Sequence, residues 1–179
     1  MMDRDDYLNL DDKPLLNQCD IHVYKSSGPG GQHRNKVSSA VRLKHKPTGI
    51  SAHGDESRSQ AENKKMAISR LRMNMACSLR KPVESGADLP AVAAECMFTA
   101  RGGPAAGKRR LEVGRRDRRF WAVAAYLLDV LDYHQGRLAE AADHVGISTG
   151  NFVGLLESER HLLAAAQVVR KAHGQKPIM

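Results

Sequence analysis

The chain has 179 residues and a mass of 19.7 kDa, enough for one domain or two small ones. Its formal net charge is +8 at pH 7 and its pI is about 9.6, which favours a polyanionic partner such as nucleic acid or an anionic membrane surface. No run approaches the roughly 18 apolar residues of a spanning helix, which excludes a transmembrane protein.

The first six residues are acidic and include no apolar stretch, so they predict neither a secretory signal nor a transit peptide, and we expect a cytoplasmic protein. Three widely spaced cysteines favour free thiols in a reducing compartment. Cys19 and His22 have a C-x-x-H spacing. A second such pair is missing, so two ordinary residues entering a strand are a better interpretation than a metal site. We expect neither metal nor cofactor.

A strongly basic segment, residues 20–80 with net charge +8, follows this start. Alternating apolar residues there predict half-buried strands, with Ile21 and Val23 on one side of the first. The predicted elements are strands over residues 19–25, 41–45 and 50–53, and a tight turn over Lys46-Pro47-Thr48-Gly49. The last two strands form a hairpin.

A long helix is predicted next. Ser59 and Glu62 have the spacing of a capping box, in which each side chain satisfies a free amide at the helix start. Apolar residues then recur at helical spacing, at Ile68, Leu71, Met75 and Leu79. The methionines of this stretch, Met66, Met73 and Met75, fit core packing better than a methionine-rich binding surface.

Prolines and glycines concentrate between residues 82 and 114, which predicts a linker with a short helix inside Leu89 to Phe98. An amphipathic helix begins at Phe120, with Trp121 as a core anchor, and two more helices are expected after it. The predicted organisation is a catalytic domain over 18–81, a flexible basic linker over 82–117 and an α-helical module over 118–173.

A glycine-rich stretch connects the first two predicted strands. Three of the four residues 28–31 are glycines, which lets the backbone come very close to another surface. The flanking cations Lys25, Arg34 and Lys36 can meet phosphates. Taken alone, the stretch also fits a flexible strand connection.

Gly30-Gly31-Gln32 resembles the GGQ loop in the catalytic domain of class I peptide chain release factors. Further blocks resemble those of the family in the same order and at similar spacing: Asn35, Ser39 to Leu43, His45 to Ile50, Arg58 to Gln60, and Asn63-Lys64. The resemblance covers roughly residues 18–80.

The resemblance implies a ribosome-dependent peptidyl-tRNA hydrolase without a cofactor. Its partners would be large-subunit rRNA and the P-site peptidyl-tRNA, and its catalytic residues Gly30, Gly31 and Gln32. A backbone N–H, expected from Gln32, can stabilise the negative charge that develops on the ester carbonyl. The RNA-binding residues implied by the family blocks are Lys25, Ser26, Ser27, Gly28, Arg34, Asn35, Lys36, Arg42, Arg58, Gln60, Asn63 and Lys64.

The sequence departs from the family in four ways. Arg34 stands where the family usually has a small apolar residue, and Lys25 where arginine is common. Full-length members carry a codon-reading domain before the catalytic domain, and only about 18 residues precede it here, so the chain resembles ribosome-rescue members that act without a stop codon. Some of these use a basic C-terminal tail, whereas residues 120–179 have net charge −1. The linker cations could contact RNA in its place, with a solvated linker as the alternative: Lys108, Arg109, Arg110, Arg115 and Arg116.

Residues 138–156 resemble a helix-turn-helix, with Gly146 in the turn and Ser148 capping the second helix. A DNA-binding regulator is therefore the rival function, as is an RNA-binding partner with an inactive GGQ domain. The second helix has no Lys or Arg from Ser148 to Glu159, which favours a packing or protein-interaction module over DNA recognition, with contacts to rRNA or tRNA as a third reading. The predicted fold class is α+β: a small antiparallel sheet with the GGQ loop, packed by a long helix, followed by an all-α, helix-turn-helix-like module that offers a surface for a protein partner.

Overall fold

The computed structural model describes residues 2–25, 38–84, 86, 88–99, 101 and 107–178. It divides the chain into two compact units, Met1–Met75 and Ala76–Met179. The three residues of the GGQ motif, Gly30, Gly31 and Gln32, lie outside the described residues.

The first unit holds a three-stranded antiparallel sheet with the order β1-β2-β3. Its elements are helices α1 (Arg4–Asn9) and α2 (Asp12–Asn17), strands β1 (Cys19–Tyr24), β2 (Ala40–His45) and β3 (Ser51–Gly54), and helix α3 (Gln60–Ser78). Helix α3 extends three residues past the boundary with the second unit. The three strands and the long helix confirm the elements predicted for this segment.

The turn between β2 and β3 forms as predicted. The Gly49 N–H donates to His45 O at 2.8 Å, and Gly49 has a φ of +72°, a conformation that glycine adopts without strain. The His45 ring is enclosed between Thr48 Oγ1 at 2.9 Å and Gln18 Oε1 at 3.2 Å. Burial lowers the pKa of His45, so the ring is neutral at pH 7 and ties the turn to the end of α2.

The core of the first unit lies between the sheet and α3. Its most deeply buried side chains come from α2, β2 and α3: Leu15, Leu43, Ala67, Leu71 and Met75. On β1 the structure differs from the prediction, because Ile21 and Val23 remain 45% and 37% exposed. Helix α3 is hydrogen-bonded to the edge strand β3, because Asn74 Nδ2 donates to Ser51 O at 2.9 Å. Strand β1 lies at the other edge of the sheet.

In the described residues, the second unit packs five helices and a two-stranded antiparallel hairpin around one core. Its elements are α4 (Ala91–Ala94), β4 (Met97–Thr99), β5 (Arg109–Leu111), α5 (Phe120–Tyr133), α6 (Leu138–Val145), α7 (Thr149–Glu157) and α8 (Arg160–Ala172). Phe120, Phe152 and Leu156 are at most 2% exposed at its centre. Trp121 packs against this core while partly exposed. The mixture of small antiparallel sheets and helices confirms the α+β class.

The predicted linker contributes to this core. Cys96 and Leu111 lie within it, and Leu111 is fully buried. The expectation of a flexible segment over 82–117 therefore differs from the structure at α4 and the hairpin. The short predicted helix also ends earlier than expected, since Met97 and Phe98 belong to β4. The domain bounds themselves remain a prediction.

The two helices predicted after α5 are present as α6 and α7, joined through Gly146 in the left-handed conformation at φ +76°. The Ser148 side chain caps α7 by accepting from Asn151 N at 3.2 Å. A third helix, α8, was not predicted. It begins directly after α7, where the Glu159 carboxylate accepts from the amides of His161 and Leu162. Within the described ranges, no helix is long and apolar enough to cross a membrane.

Candidate functional site

The strand register places the ends of the β1–β2 connection side by side. Tyr24, the last residue of β1, pairs with Ala40, the first residue of β2, so β1 ends beside the point where β2 begins. The described flanking residues are Lys25, which is exposed, and Ser38 and Ser39. The remaining predicted loop residues lie outside the described part of the chain: Ser26, Ser27, Gly28, Arg34, Asn35 and Lys36, with the GGQ motif itself.

Asn63 ties this connection to the start of α3. Its side-chain Nδ2 donates to Ser39 O and to Ser57 O, both at 2.8 Å, and its Oδ1 accepts from Ser57 N at 2.9 Å. We call Ser39, Ser57 and Asn63 the stem junction. The Asn63 side chain is fully buried, so the structure contradicts its predicted contact with RNA and gives it a positioning role instead. A buried amide that makes three hydrogen bonds fixes where the β1–β2 connection returns to the sheet.

Helix α3 starts close to the stem junction. The Ser59 hydroxyl accepts from Glu62 N at 3.3 Å, as a capping box requires. The reciprocal bond differs from the prediction, because the Glu62 carboxylate accepts from the Ser57 hydroxyl, which in turn accepts from Ser59 N at 3.1 Å. The Ser57 hydroxyl therefore lies between the Glu62 carboxylate and the Ser59 N–H, which bond each other directly in an ordinary capping box. Gly54 lies so close to the backbone of Asn63 that a Cβ atom there would overlap the Asn63 carbonyl.

Several predicted RNA-binding cations are exposed around this end of the first unit. Arg42 lies on the outer face of β2, with His22 and His53 as its register neighbours on the two adjoining strands. Arg58 and Gln60 are exposed at the start of α3, and Lys64 is partly exposed one turn later. Within the residues that the structure describes, no carboxylate forms an ion pair with Arg42, Arg58 or Lys64. Their charge is available to an anionic partner.

The cysteines do not supply a nucleophile. Desolvation raises the pKa of the Cys19 and Cys96 thiols, and it raises that of Cys77 to about 11, so all three are protonated at pH 7. Cys19 is buried and His22 is exposed, and a separation of three residues in β1 places their side chains on opposite faces. They do not share a ligand. Among the described residues, no three His, Cys, Asp or Glu side chains are grouped as a metal site.

The five predicted linker cations are all exposed in the second unit: Lys108, Arg109, Arg110, Arg115 and Arg116. Arg119, at the start of α5, is engaged instead. It pairs with Asp117 at 2.7 Å and with Glu95 at 3.5 Å. Hydrogen bonds from Arg119 lower the pKa of Asp117 to about 2.

Asn151 has a role that the sequence reasoning missed. Its Oδ1 accepts from Leu111 N at 2.8 Å and its Nδ2 donates to Leu111 O at 3.1 Å, which fastens β5 to α7. In the sequence, Asn63 and Asn151 look like ordinary polar residues of a helix. Their structural roles become visible only through their hydrogen bonds to backbone groups that are distant in sequence.

Comparison with known proteins assigns the first part of the chain. The RF-1 domain family matches residues 15–95. Peptide chain release factor 2 of Lactiplantibacillus plantarum is 44% identical over 75 residues, which cover 42% of this chain and 19% of the relative. Peptide chain release factor 1 of Rubrobacter xylanophilus is 48% identical over 59 residues, 33% of this chain and 16% of the relative. Peptide chain release factor 1 of Nitrosomonas eutropha is 52% identical over 56 residues, which cover 30% of this chain and 16% of the relative. The chain spans less than a fifth of the length of these relatives.

Proposed function

Residues 15–95 of this chain belong to the class I peptide chain release factor family, as its RF-1 domain, and on this premise we propose that the protein hydrolyses the ester of peptidyl-tRNA on the ribosome. The observation that carries the proposal is the position of Gly30-Gly31-Gln32 inside the matched segment. The proposed partners are large-subunit rRNA and the P-site peptidyl-tRNA.

The proposed chemistry needs few side chains. Hydrolysis requires that water attack the ester carbonyl, which then carries negative charge on its oxygen. A backbone N–H at Gln32 would donate to that oxygen, and the absence of side chains at Gly30 and Gly31 would let the backbone approach. The Gln32 side chain would place the water. A general base within this chain is not required, because positioning of the water against the ester by RNA and protein supplies much of the acceleration.

The stem junction supports this mechanism. A loop that delivers a backbone N–H to within hydrogen-bonding distance of a reacting atom must be held at its base. Asn63 fixes the returning end of the connection at Ser39 through a buried hydrogen bond of 2.8 Å. The cations Lys25, Arg42 and Arg58 are exposed on the same unit and would contact phosphates of rRNA or tRNA.

The finer proposal is that release does not depend on a stop codon. The similarity to the named relatives covers at most 75 residues, and the RF-1 domain family matches residues 15–95 of this chain. Residues 118–173 of this chain are instead built from the helices of the second unit. We assign these helices the selection of the stalled complex, through RNA or through a protein partner.

The test is release of a radiolabelled peptide from purified ribosomes stalled on an mRNA that ends in the P site. We expect the wild-type chain to release the peptide and Gly31→Ala to be slower by about 100-fold, since a methyl group would hold the backbone away from the ester. The surface variant Lys171→Ala is the control and keeps the wild-type rate.

Two outcomes contradict the proposal in different ways. Equal rates for wild type and Gly31→Ala would remove the catalytic role of the motif. Release that requires a stop codon in the A site would leave the hydrolase in place and overturn the codon-independent part. Ribosomes carrying a stop codon, a sense codon and an empty A site are therefore compared in parallel.

A further inference from the structure

A long groove runs over the surface of the second unit between the β5 segment and helix α7. Its first part has a volume of about 580 Å³ and lies between Lys108–Arg110 on one side and the Gly146–Asn151 turn on the other. Its second part, about 540 Å³, continues between residues 110–114 and 150–155. The two parts share the lining residues Arg110, Gly150 and Asn151 and therefore adjoin, and we call them together the α7 groove.

The walls of the α7 groove are fixed, and one of them is bare backbone. Asn151 binds both backbone groups of Leu111, at 2.8 and 3.1 Å, and so holds β5 at a set distance from α7. Gly150 and Gly154 lie one turn apart on the exposed side of α7, and a Cβ atom at either position would meet no atom within 4 Å. A partner can therefore come close to the helix backbone along a length of one turn.

The charge of the α7 groove is carried by the β5 wall. Lys108 and Arg109 are exposed and form no ion pair within the ranges that the structure describes. Arg110 lies 3.5 Å from the Glu112 carboxylate, with half of each side chain exposed, and Asp143 lines the opposite wall. Beyond Gly114 the chain turns, with the Asp117 N–H donating to Gly114 O at 2.9 Å, and this turn exposes Arg115 and Arg116.

Free cations thus stand at both ends of the β5 wall. Arg115 follows Arg109 by six positions, so their Cα atoms are at most about 20 Å apart. The two cation pairs, Lys108-Arg109 and Arg115-Arg116, are separate along the chain, and both are exposed. The spacing suits a chain of phosphates better than a single phosphate group.

We propose that the α7 groove binds the sugar-phosphate backbone of single-stranded RNA, with Lys108, Arg109, Arg115 and Arg116 as the phosphate contacts. The choice of RNA among polyanions rests on the proposed function, because a chain that acts on the ribosome works among RNA phosphates. Recognition is independent of base sequence: α7 has no Lys or Arg between Ser148 and Glu159, and its Asn151 amide is already bonded to Leu111. The α7 groove would give the second unit an RNA-binding site separate from that of the first unit.

The first test measures binding of the full chain to a fluorescein-labelled 12-nucleotide RNA of mixed sequence by fluorescence anisotropy. The first unit also carries exposed cations, so two double variants of equal charge loss are compared. Lys108→Ala/Arg109→Ala removes two groove cations, and Arg160→Ala/Lys171→Ala removes two exposed cations of α8. We expect the groove variant to bind at least 10-fold more weakly. The slope of log affinity against log salt concentration should fall by about 1.4, at about 0.7 per phosphate contact. The α8 variant should stay within 2-fold of wild type.

The second test changes the opposite wall without touching a cation. Gly154→Glu and Gly154→Lys place side chains of similar length into the same open space. We expect Gly154→Glu to weaken RNA binding and Gly154→Lys to keep or strengthen it, with equal melting temperatures for the two. Equal weakening by both double variants, or equal effects of both Gly154 variants, would overturn the proposal.

Two competitors identify the occupant. Polyglutamate that displaces the RNA at equal charge concentration would assign the groove to an acidic protein, and tighter binding of a 12-base-pair DNA duplex would assign it to DNA; either result overturns the proposal. Gly31→Ala is expected to bind the RNA as wild type does while losing peptide release. The Gly31→Ala variant therefore tests peptide release, and the groove variants test RNA binding. Failure of either proposal can be recognised without the other.

Discussion

Asn63 and Asn74 of helix α3 both bond distant backbone, but they differ in burial and in their number of hydrogen bonds. Asn63 makes three hydrogen bonds to the backbone of Ser39 and Ser57, whereas Asn74, on the same helix, makes one to Ser51. We expect Asn63→Ala to lower the free energy of unfolding by about 3 kcal/mol, because it leaves buried backbone groups unpaired. Asn74→Ala should cost about 1 kcal/mol. Urea denaturation measures both, and equal losses would contradict the positioning role of Asn63.

A second prediction at this scale concerns Asp117. Hydrogen bonds from the Arg119 side chain and backbone lower the pKa of Asp117 from 3.8 to about 2. A depressed carboxylate pKa in the folded state contributes stability above pH 3.8, and this contribution is lost as the pH falls toward 2. We expect wild type to exceed Asp117→Asn in melting temperature at pH 5 and the difference to vanish near pH 2. A difference that stays constant over this range would contradict the assignment.

The sequence predicted the charged residues better than the buried polar ones. Arg42 and Arg58 were expected at the surface and are exposed there. Asn63 was expected to contact RNA because it lies in a family-like block, but it is buried. Hydrogen bonds across 24 residues, such as that from Asn63 to Ser39, depend on tertiary packing that no local pattern encodes.

At the scale of elements, the connection between α6 and α7 depends on one backbone conformation. Gly146 ends α6 at φ +76°, where an alanine is strained by about 1 kcal/mol. Gly154 lies inside α7, with open space around its missing side chain, so alanine there should stabilise the helix by about 0.5–1 kcal/mol. Thermal unfolding should therefore shift down for Gly146→Ala and up for Gly154→Ala. Shifts in the same direction would show that the Gly146 conformation is not required.

Elements with a regular pattern were predicted well, and short ones were not. Strand β2 alternates buried Val41 and Leu43 with exposed Arg42 and Lys44, which is the pattern that period-2 reasoning detects. The β4–β5 hairpin has three residues per strand and a single fully buried member, Leu111, which is too short to show a period. Helix α8 was missed because only Ser158 and Glu159 separate it from α7, without a glycine or proline.

At the scale of the whole molecule, the net charge of +8 has a kinetic consequence. Exposed cations on both units would speed the encounter with ribosomal RNA, and salt would screen them. We expect the concentration of chain that gives half-maximal peptide release to rise at least 5-fold between 50 and 200 mM KCl. The rate at saturating chain should change little, since the proposed chemistry uses a backbone N–H. A saturating rate that falls with salt while the half-maximal concentration stays fixed would contradict this division of roles.

The bond between Asn151 and Leu111 also bears on how copies of this protein treat one another. Among the described residues, the sheet that contains β5 has two strands, and the N–H and C=O of Leu111 would otherwise lie open on its outer side. Exposed sheet edges are templates on which a foreign strand can pair and aggregation can start. The Asn151 carboxamide, which has the same donor and acceptor groups as a peptide, occupies that place permanently. The Asn151 side chain thus closes this point of the β5 edge to pairing with a second strand.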